Sequence, residues 1–191
     1  VMGQICARPV LNLKRPTVGL LNVGSEEQKG HEELREASAI LRKIDLPMEF
    51  IGFVEGDDIT AGTVDVIVTD GFSGNIALKA AEGTSRMFTF FLKEAFGSSI
   101  YSKIGYVFSK TAINQVRERM DPRKYNGAVF LGLNGIAVKS HGSTDSFGFA
   151  NAIGVAADMS KYGFLDKVKD ELRILHAEGE ASEKLRSTGD A

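Results

Sequence analysis

At 191 residues the chain is long enough to bury a core as one domain or one lobe of a larger protein, and its single cysteine, Cys6, excludes an internal disulfide. The formal net charge is -2, from 23 Lys and Arg against 25 Asp and Glu, so the basic footprint of a nucleic-acid-binding protein is absent. We therefore expect no nucleic-acid partner, and the cysteine usage and the lack of a signal-like N-terminus indicate a cytoplasmic protein.

The first half of the chain predicts strands that alternate with helices. The chain opens on Val1 in a stretch that we interpret as the interior of a longer protein. An apolar run at 17–23 predicts a buried strand, and apolar residues at helical spacing predict a helix over 32–44. Short strands are predicted at 49–54 and 64–69. This alternation is typical of an α/β protein with a mostly parallel sheet.

The second half predicts mainly helices. A long helix is predicted over 75–95, interrupted at Gly83, and one or two helices over 98–119. Residues 127–138 predict a return to strand, kinked at Gly132 and Gly135. Two more helices are predicted over 147–161 and 165–175, and the polar composition from 177 onward predicts a disordered tail.

Three polar, glycine-bearing turns follow apolar runs and are the candidate binding sites. Because the carboxyl ends of parallel strands line the ligand crevice of such sheets, and helix N-termini offer free N–H groups to anions, phosphate is the expected ligand. Neither the dinucleotide nor the nucleoside-triphosphate glycine motif is present. The residues concerned are Asn22, Gly24, Ser25 and Lys29 in the first turn, Asp70, Gly74 and Asn75 in the second, and Ser140, His141 and Gly142 in the third.

Each turn also has a purely structural interpretation. The glycines would then only supply positive φ, Lys29 would be a surface lysine, and Asp70 and Asn75 would be a turn residue and a helix cap. His141 lies in a polar turn rather than on an apolar face, which favours function.

The segment 87–108 is rich in aromatic residues and has only a narrow polar stripe. Basic residues outnumber acidic ones just beyond it, so contact with an anionic membrane or an acyl chain is one interpretation, and packing against a second subunit is the other. The apolar residues that would make this contact are Phe88, Phe91, Phe96, Ile100, Ile104 and Phe108.

Four stretches together resemble the phosphate acyltransferases of bacterial phospholipid synthesis. They are PTVGLLNVG at 16–24 with the following Lys29-Gly30, DVIVTDGFSGNIALKAAEG at 65–83, GAVFLGLNGIAVKSHGS at 127–143, and the helix after Asp145. The resemblance runs in order from about Arg15 to Leu172.

The resemblance implies a three-layer αβα fold, similar to those of phosphotransacetylases and of isocitrate and isopropylmalate dehydrogenases, and a homodimer. Members of the family are about twice as long, so residues 1–176 would be the C-terminal lobe, with a projecting helical hairpin at about 84–120 and the tail at 177–191. Activity is then expected of the whole protein rather than of this chain alone.

The resemblance also implies transfer of a long-chain acyl group from acyl carrier protein to inorganic phosphate, by a protein in peripheral contact with an anionic membrane. Lys29, Asn22, Gly24, Ser25, Gly74 and Asn75 would hold phosphate, while Ser140 and His141 would steady the oxyanion or protonate the departing sulfur. We expect no metal and no nucleotide cofactor. The alternatives are a short-chain phosphotransacetylase that uses coenzyme A and a non-catalytic acyl- or membrane-binding fragment.

Overall fold

The computed structural model describes residues 1–175, which form two compact units. One unit comprises Val1–Val68 together with the described residues from Asn126 onward, and the other comprises Thr69–Tyr125. The tail predicted at 177–191 lies outside the described residues.

A three-stranded parallel sheet is the centre of the first unit. After helix α1 (Met2–Leu11), strand β1 (Thr17–Leu21) pairs in parallel with β2 (Glu49–Val54) on one side and with β3 (Val66–Val68) on the other. Helix α2 (Glu32–Leu41) connects β1 to β2, and the short helix α3 (Asp58–Ala61) lies between β2 and β3. The predicted mixed α/β fold with a parallel sheet is confirmed, although α1 was not predicted.

The second unit consists of two long helices and a short 3-10 turn. Helix α4 (Gly71–Gly97) is continuous and starts four residues before the predicted helix, so the predicted interruption at Gly83 is wrong. A glycine inside a helix costs only about 1 kcal/mol relative to alanine, which the 27-residue helix tolerates. Helix α5 (Ile100–Arg119) follows after two residues and is a single helix.

No residue of α4 or α5 is buried. Where the chain passes from one helix to the other, the rings of Phe96 and Tyr106 meet edge to face with their centroids 5.4 Å apart. Among residues 1–175, no helix is both long enough and apolar enough to cross a bilayer.

The chain then returns to the first unit through a small antiparallel hairpin. Strands β4 (Ala128–Val129) and β5 (Val138–Lys139) pair with each other, and the Phe130 N–H donates to the Ala137 carbonyl at 2.9 Å. The single kinked strand predicted over 127–138 is therefore wrong. Gly132 has a φ of 82°, a left-handed conformation that suits a turn, and residues 131–136 reverse the chain direction.

Two helices complete the described chain and close its core. Helix α6 (Ser146–Tyr162) ends at the left-handed Gly163, and residues 164–175 form a further helix, α7. Ile5 of α1 packs with Met159, Phe164 and Val168 of these helices in one buried cluster. A second buried cluster joins Val18 of the sheet to residues of the loop before β2.

A buried ion pair joins the first helix to the last. Arg8 Nη1 lies 2.8 Å from Glu171 Oε1, and both side chains are about nine-tenths buried. Gln4 Nε2 donates to the other oxygen of Glu171, and Arg8 Nη2 donates to the Pro47 carbonyl at 3.1 Å. Each of the three side chains has a polar partner, which offsets the cost of removing charge from water, although Gln4 Oε1 and Arg8 Nε have none among residues 1–175.

We expect Glu171→Ala to lower the free energy of unfolding by about 3–5 kcal/mol, because it leaves the Arg8 guanidinium buried without its carboxylate. Asp170→Ala is the matched control, since the neighbouring Asp170–Arg173 pair is mostly exposed and its loss costs about 0–1 kcal/mol. Urea unfolding measures both. Equal losses would show that the buried pair contributes no more than the exposed one.

Candidate active site

The segment between β5 and α6 forms an open surface depression of about 440 Å³, which we call the cavity. Its lining runs from the residue after β5 to the first turn of α6. The third predicted turn, Ser140–Gly142, is part of this lining. The lining residues are Ser140, His141, Gly142, Thr144, Asp145, Ser146 and Phe149.

Asn126, which the sequence analysis did not select, organises this segment. Its side chain is buried, and Nδ2 donates to Ser140 Oγ at 2.8 Å and to the Gly148 carbonyl at 2.7 Å. Its Oδ1 accepts the backbone N–H of His141 at 2.9 Å. One amide therefore fixes the turn after β5 and the first turn of α6 relative to each other.

The contacts of the His141 ring define which nitrogen carries its proton. The Ser143 backbone N–H donates to Nδ1 at 3.2 Å, and Ser143 Oγ lies 2.9 Å from the same atom. A backbone N–H can only donate, so Nδ1 is the acceptor and the neutral ring has its proton on Nε2. His141 is itself exposed, and in this tautomer the ring offers an N–H donor at Nε2.

Two further residues of the cavity lining are informative. Asp145 caps α6, because its carboxylate accepts the Gly148 N–H at 3.0 Å. Thr144 Oγ1 is buried and has no hydrogen-bond partner among residues 1–175. A buried hydroxyl without a partner is uncommon, and here it lies beside the candidate catalytic residues.

The first predicted turn is held together by the side chain of Asn22. Asn22 is buried at the end of β1, and its Nδ2 donates to the Lys29 carbonyl at 3.0 Å. Gly30 has a φ of 85°, and a Cβ on it would lie 2.0 Å from Asn22 Oδ1, so only glycine fits there. Asn22 therefore packs inward and closes the loop 22–30, while Ser25 is exposed on it and Gly24 is buried.

Lys29 lies in this loop rather than in a helix, since α2 begins at Glu32. Its side chain is half exposed, and Nζ lies 3.4 Å from Glu26 Oε1. The hydrogen bonds of the Glu26 carboxyl group with its own backbone and with Lys29 lower its pKa, and Lys29 is thus next to an ionised carboxylate. An anion that binds the Lys29 ammonium group would compete with the Glu26 carboxylate for it.

The second predicted turn is the start of helix α4. The Asp70 carboxylate accepts the N–H groups of Phe72 and Ser73, both at 2.9 Å, and is the N-cap. Hydrogen bonds from Ser73 lower the pKa of Asp70, which keeps the cap ionised. The Gly74 N–H already donates to the Asp70 carbonyl at 3.0 Å, and Asn75 lies within the helix. The geometry favours the capping interpretation for this turn.

The cavity brings together only the third of the predicted turns. Ser140, His141 and Gly142 line it, and its other lining residues also come from 140–149. Lys29 and the loop 22–30 do not contribute to this lining. Asn126 was missed because an Asn followed by Gly is a common turn signal, and nothing local indicates that its side chain is buried against residues 14 and 22 positions away.

We expect NMR of ¹⁵N-labelled protein, at a pH where the ring is neutral, to place the His141 proton on Nε2. His31 is the internal control, because its side chain makes no capping hydrogen bond at the start of α2 and should show no tautomer enforced by a partner. A proton on Nδ1 of His141 would mean that the contact with the Ser143 N–H is broken in solution.

Comparison with known proteins identifies the relatives of this chain. The family model described as fatty acid synthesis protein matches residues 1–167. Proteins named phosphate acyltransferase are 60% identical over 182 residues in Rhodospirillum centenum, 57% identical over 189 residues in Paramagnetospirillum magneticum, and 57% identical over 178 residues in Agrobacterium fabrum. These matches cover 95%, 98% and 93% of this chain but 51%, 54% and 50% of the respective relatives. The chain spans about half the length of the curated relatives it matches, and it belongs to the fatty acid synthesis protein family.

Proposed function

We propose that the protein to which this chain belongs transfers a long-chain acyl group from acyl carrier protein to inorganic phosphate, releasing acyl phosphate for phospholipid synthesis. The names of the relatives support acyl transfer to phosphate. The observation within the molecule that carries the proposal is the cavity at 140–149, where Ser140 and His141 lie side by side on one ordered turn.

The chemistry requires little acid or base strength. A phosphate oxygen attacks the thioester carbonyl carbon, a C–O bond to phosphate forms, and the C–S bond breaks as the thiolate leaves. A thiol has a pKa of about 8.5, so a thiolate can leave near neutral pH, and inorganic phosphate is already an anion there. Stabilising the oxyanion that develops on the carbonyl is then the main task.

The cavity supplies hydrogen-bond donors for that oxyanion. His141 offers Nε2–H, because its Nδ1 accepts from Ser143. Ser140 Oγ already accepts from Asn126, which leaves its own O–H for donation. Donors fixed in this way stabilise charge that appears only in the transition state. Oxyanion stabilisation is therefore a better role for His141 than protonation of the sulfur.

Phosphate is assigned to the loop 22–30 at the carboxyl end of β1, where ligands of parallel sheets bind. The exposed ammonium of Lys29 and the backbone of Gly24 and Ser25 would meet the anion, while Asn22 keeps the loop closed. Among the residues of the second turn, Asp70 acts as the helix cap, so Gly74 and Asn75 would serve mainly to begin α4.

For the helical unit we propose contact with an anionic membrane or with the acyl chain. Phe88, Phe91, Ile100, Ile104 and Phe108 are each at least half exposed, and Phe108 is 84% exposed. Phe96 differs, since it packs on Tyr106 and stabilises the helix pair. Release of an amphiphilic product beside a membrane would require such an apolar surface. In the alternative interpretation, the same surface would be buried between the two subunits of a homodimer.

The full-length protein is expected to release thiol from long-chain acyl carrier protein only when phosphate is present, and His141→Ala is expected to lower kcat by about 10²-fold or more. Because His141 is exposed, the substitution should leave the melting temperature nearly unchanged. His31→Ala, an exposed histidine outside the cavity, is the matched control. Thiol release is measured with a reagent that reacts with the free thiol.

Different results would select different functions. A preference for short-chain acyl coenzyme A would indicate a phosphotransacetylase. Absence of any phosphate-dependent release would leave an acyl-binding or membrane-docking module. Full activity of His141→Ala would remove His141 from the proposed mechanism while leaving the reaction itself intact.

We expect Ile100→Glu and Phe108→Glu to reduce sedimentation of the full-length protein with anionic vesicles, because each places a charge on the apolar surface. Asn114→Glu is the control, since it adds the same charge at an exposed polar position of α5. Binding should weaken with salt, because basic residues contribute about 1 kcal/mol each near an anionic leaflet. Unchanged vesicle binding together with loss of the dimer would identify this surface as a subunit interface.

A further inference from the structure

Asn126 is a buried polar side chain whose hydrogen bonds all lead to the candidate active site. It is 8% exposed and lies directly before β4, far from Ser140 and Gly148 in sequence. Its two amide protons go to Ser140 Oγ and the Gly148 carbonyl, and its oxygen receives the His141 N–H. Burying an amide costs free energy unless it is hydrogen-bonded in this way.

The orientation of the amide is fixed by its partners. The Gly148 carbonyl can only accept and the His141 N–H can only donate, so nitrogen must face the former and oxygen the latter. Nδ2 therefore also faces Ser140, which makes Ser140 Oγ an acceptor of that bond. Among residues 1–175, no acceptor is found for the hydroxyl proton of Ser140, whose residue lines the cavity.

The neighbouring glycine allows this close approach. Gly127 has a φ of 125°, and a Cβ on it would lie 3.1 Å from the Cα of Ala152 in α6. Any larger residue would be strained in this conformation and would push the chain away from the helix. Gly127 thus brings Asn126 against the first turns of α6.

We propose that Asn126 is a positioning residue for acyl transfer, acting through Ser140. It keeps the Ser140 hydroxyl proton directed into the cavity and holds the His141 backbone beside it. This inference rests on the proposed function of the cavity, and Asn126 itself touches no reacting atom.

Asn126→Asp in the full-length protein tests this directly. The aspartate keeps the size of the side chain and an acceptor for His141 N–H, but it has no proton to donate to Ser140 or to the Gly148 carbonyl. The Ser140 hydroxyl is then expected to turn and donate to the carboxylate, so that its proton no longer faces the cavity. We expect kcat for phosphate-dependent thiol release to fall by about 10²-fold, close to the fall in Ser140→Ala, with KM for phosphate changed by less than about threefold.

A double-mutant cycle separates positioning from general loss of structure. In a Ser140→Ala background, Asn126→Asp should lower kcat by less than about threefold, because the group through which it acts is absent. Met159→Ala is the control, since it opens a cavity in the buried core of α6 without touching Asn126. It should lower the melting temperature yet leave kcat unchanged well below that temperature, in either background.

The outcomes are distinct. Equal loss of kcat from Asn126→Asp in both backgrounds, or full activity of Ser140→Ala, would overturn the inference while the proposed function stands. Lack of phosphate-dependent release by the wild-type protein would overturn the proposed function. If Asn126→Asp does not reach a native-like melting transition, Asn126→Ala completes the cycle. It also releases the His141 N–H, so kcat should still fall in the Ser140→Ala background, but by a smaller factor than in the wild-type background.

Discussion

Pairing to β1 is the constraint on which the first unit depends. Both neighbouring strands pair with it in parallel, and hydrogen bonds at its two ends fix their register. At the start, Thr17 donates twice to the Asp65 carboxylate and accepts the Asp65 N–H, each at 2.8 Å. At the end, the Asn22 N–H donates to the Val54 carbonyl at 2.8 Å. Since the strand is fixed at both ends, the loop 22–30 begins from a defined position at the edge where parallel sheets bind ligands.

Elements whose cause is local were predictable from the sequence, and elements whose cause is tertiary were not. The apolar run of β1, the β-branched β3 and the periodic α2 carry their own signals, and β2 at 49–54 was predicted to the residue. Helix α1 contains Pro9 and was missed, because what stabilises it is the packing of Ile5 and the ion pair of Arg8 with residues more than 150 positions away. The helix propensity of a short stretch of sequence does not depend on such distant contacts and so cannot reveal them.

The candidate site shows the same division. The sequence indicated Ser140 and His141, since a polar turn after an apolar run is a local pattern. It did not indicate Asn126, whose importance arises from three bonds made across the fold. The tautomer of the His141 ring likewise depends on the exact position of the Ser143 N–H. The pattern therefore locates a site, but the hydrogen-bond geometry determines which atoms donate and which accept, and that is the information a mechanism requires.

Contacts among its own residues do not explain the stability of the helical unit, Thr69–Tyr125. Helix α4 is apolar on several sides, with Phe72, Leu78 and Phe88 each at least half exposed, and a helix that is hydrophobic all round is normally buried. Ordering each residue costs about 1–2 kcal/mol in backbone entropy, which burial of apolar surface must offset. Because no residue of α4 or α5 is fully buried, contacts within Thr69–Tyr125 supply little of that offset. The apolar residues of these helices are thus better explained as one side of a contact, with a membrane, an acyl chain or another protein surface, than as a core of their own.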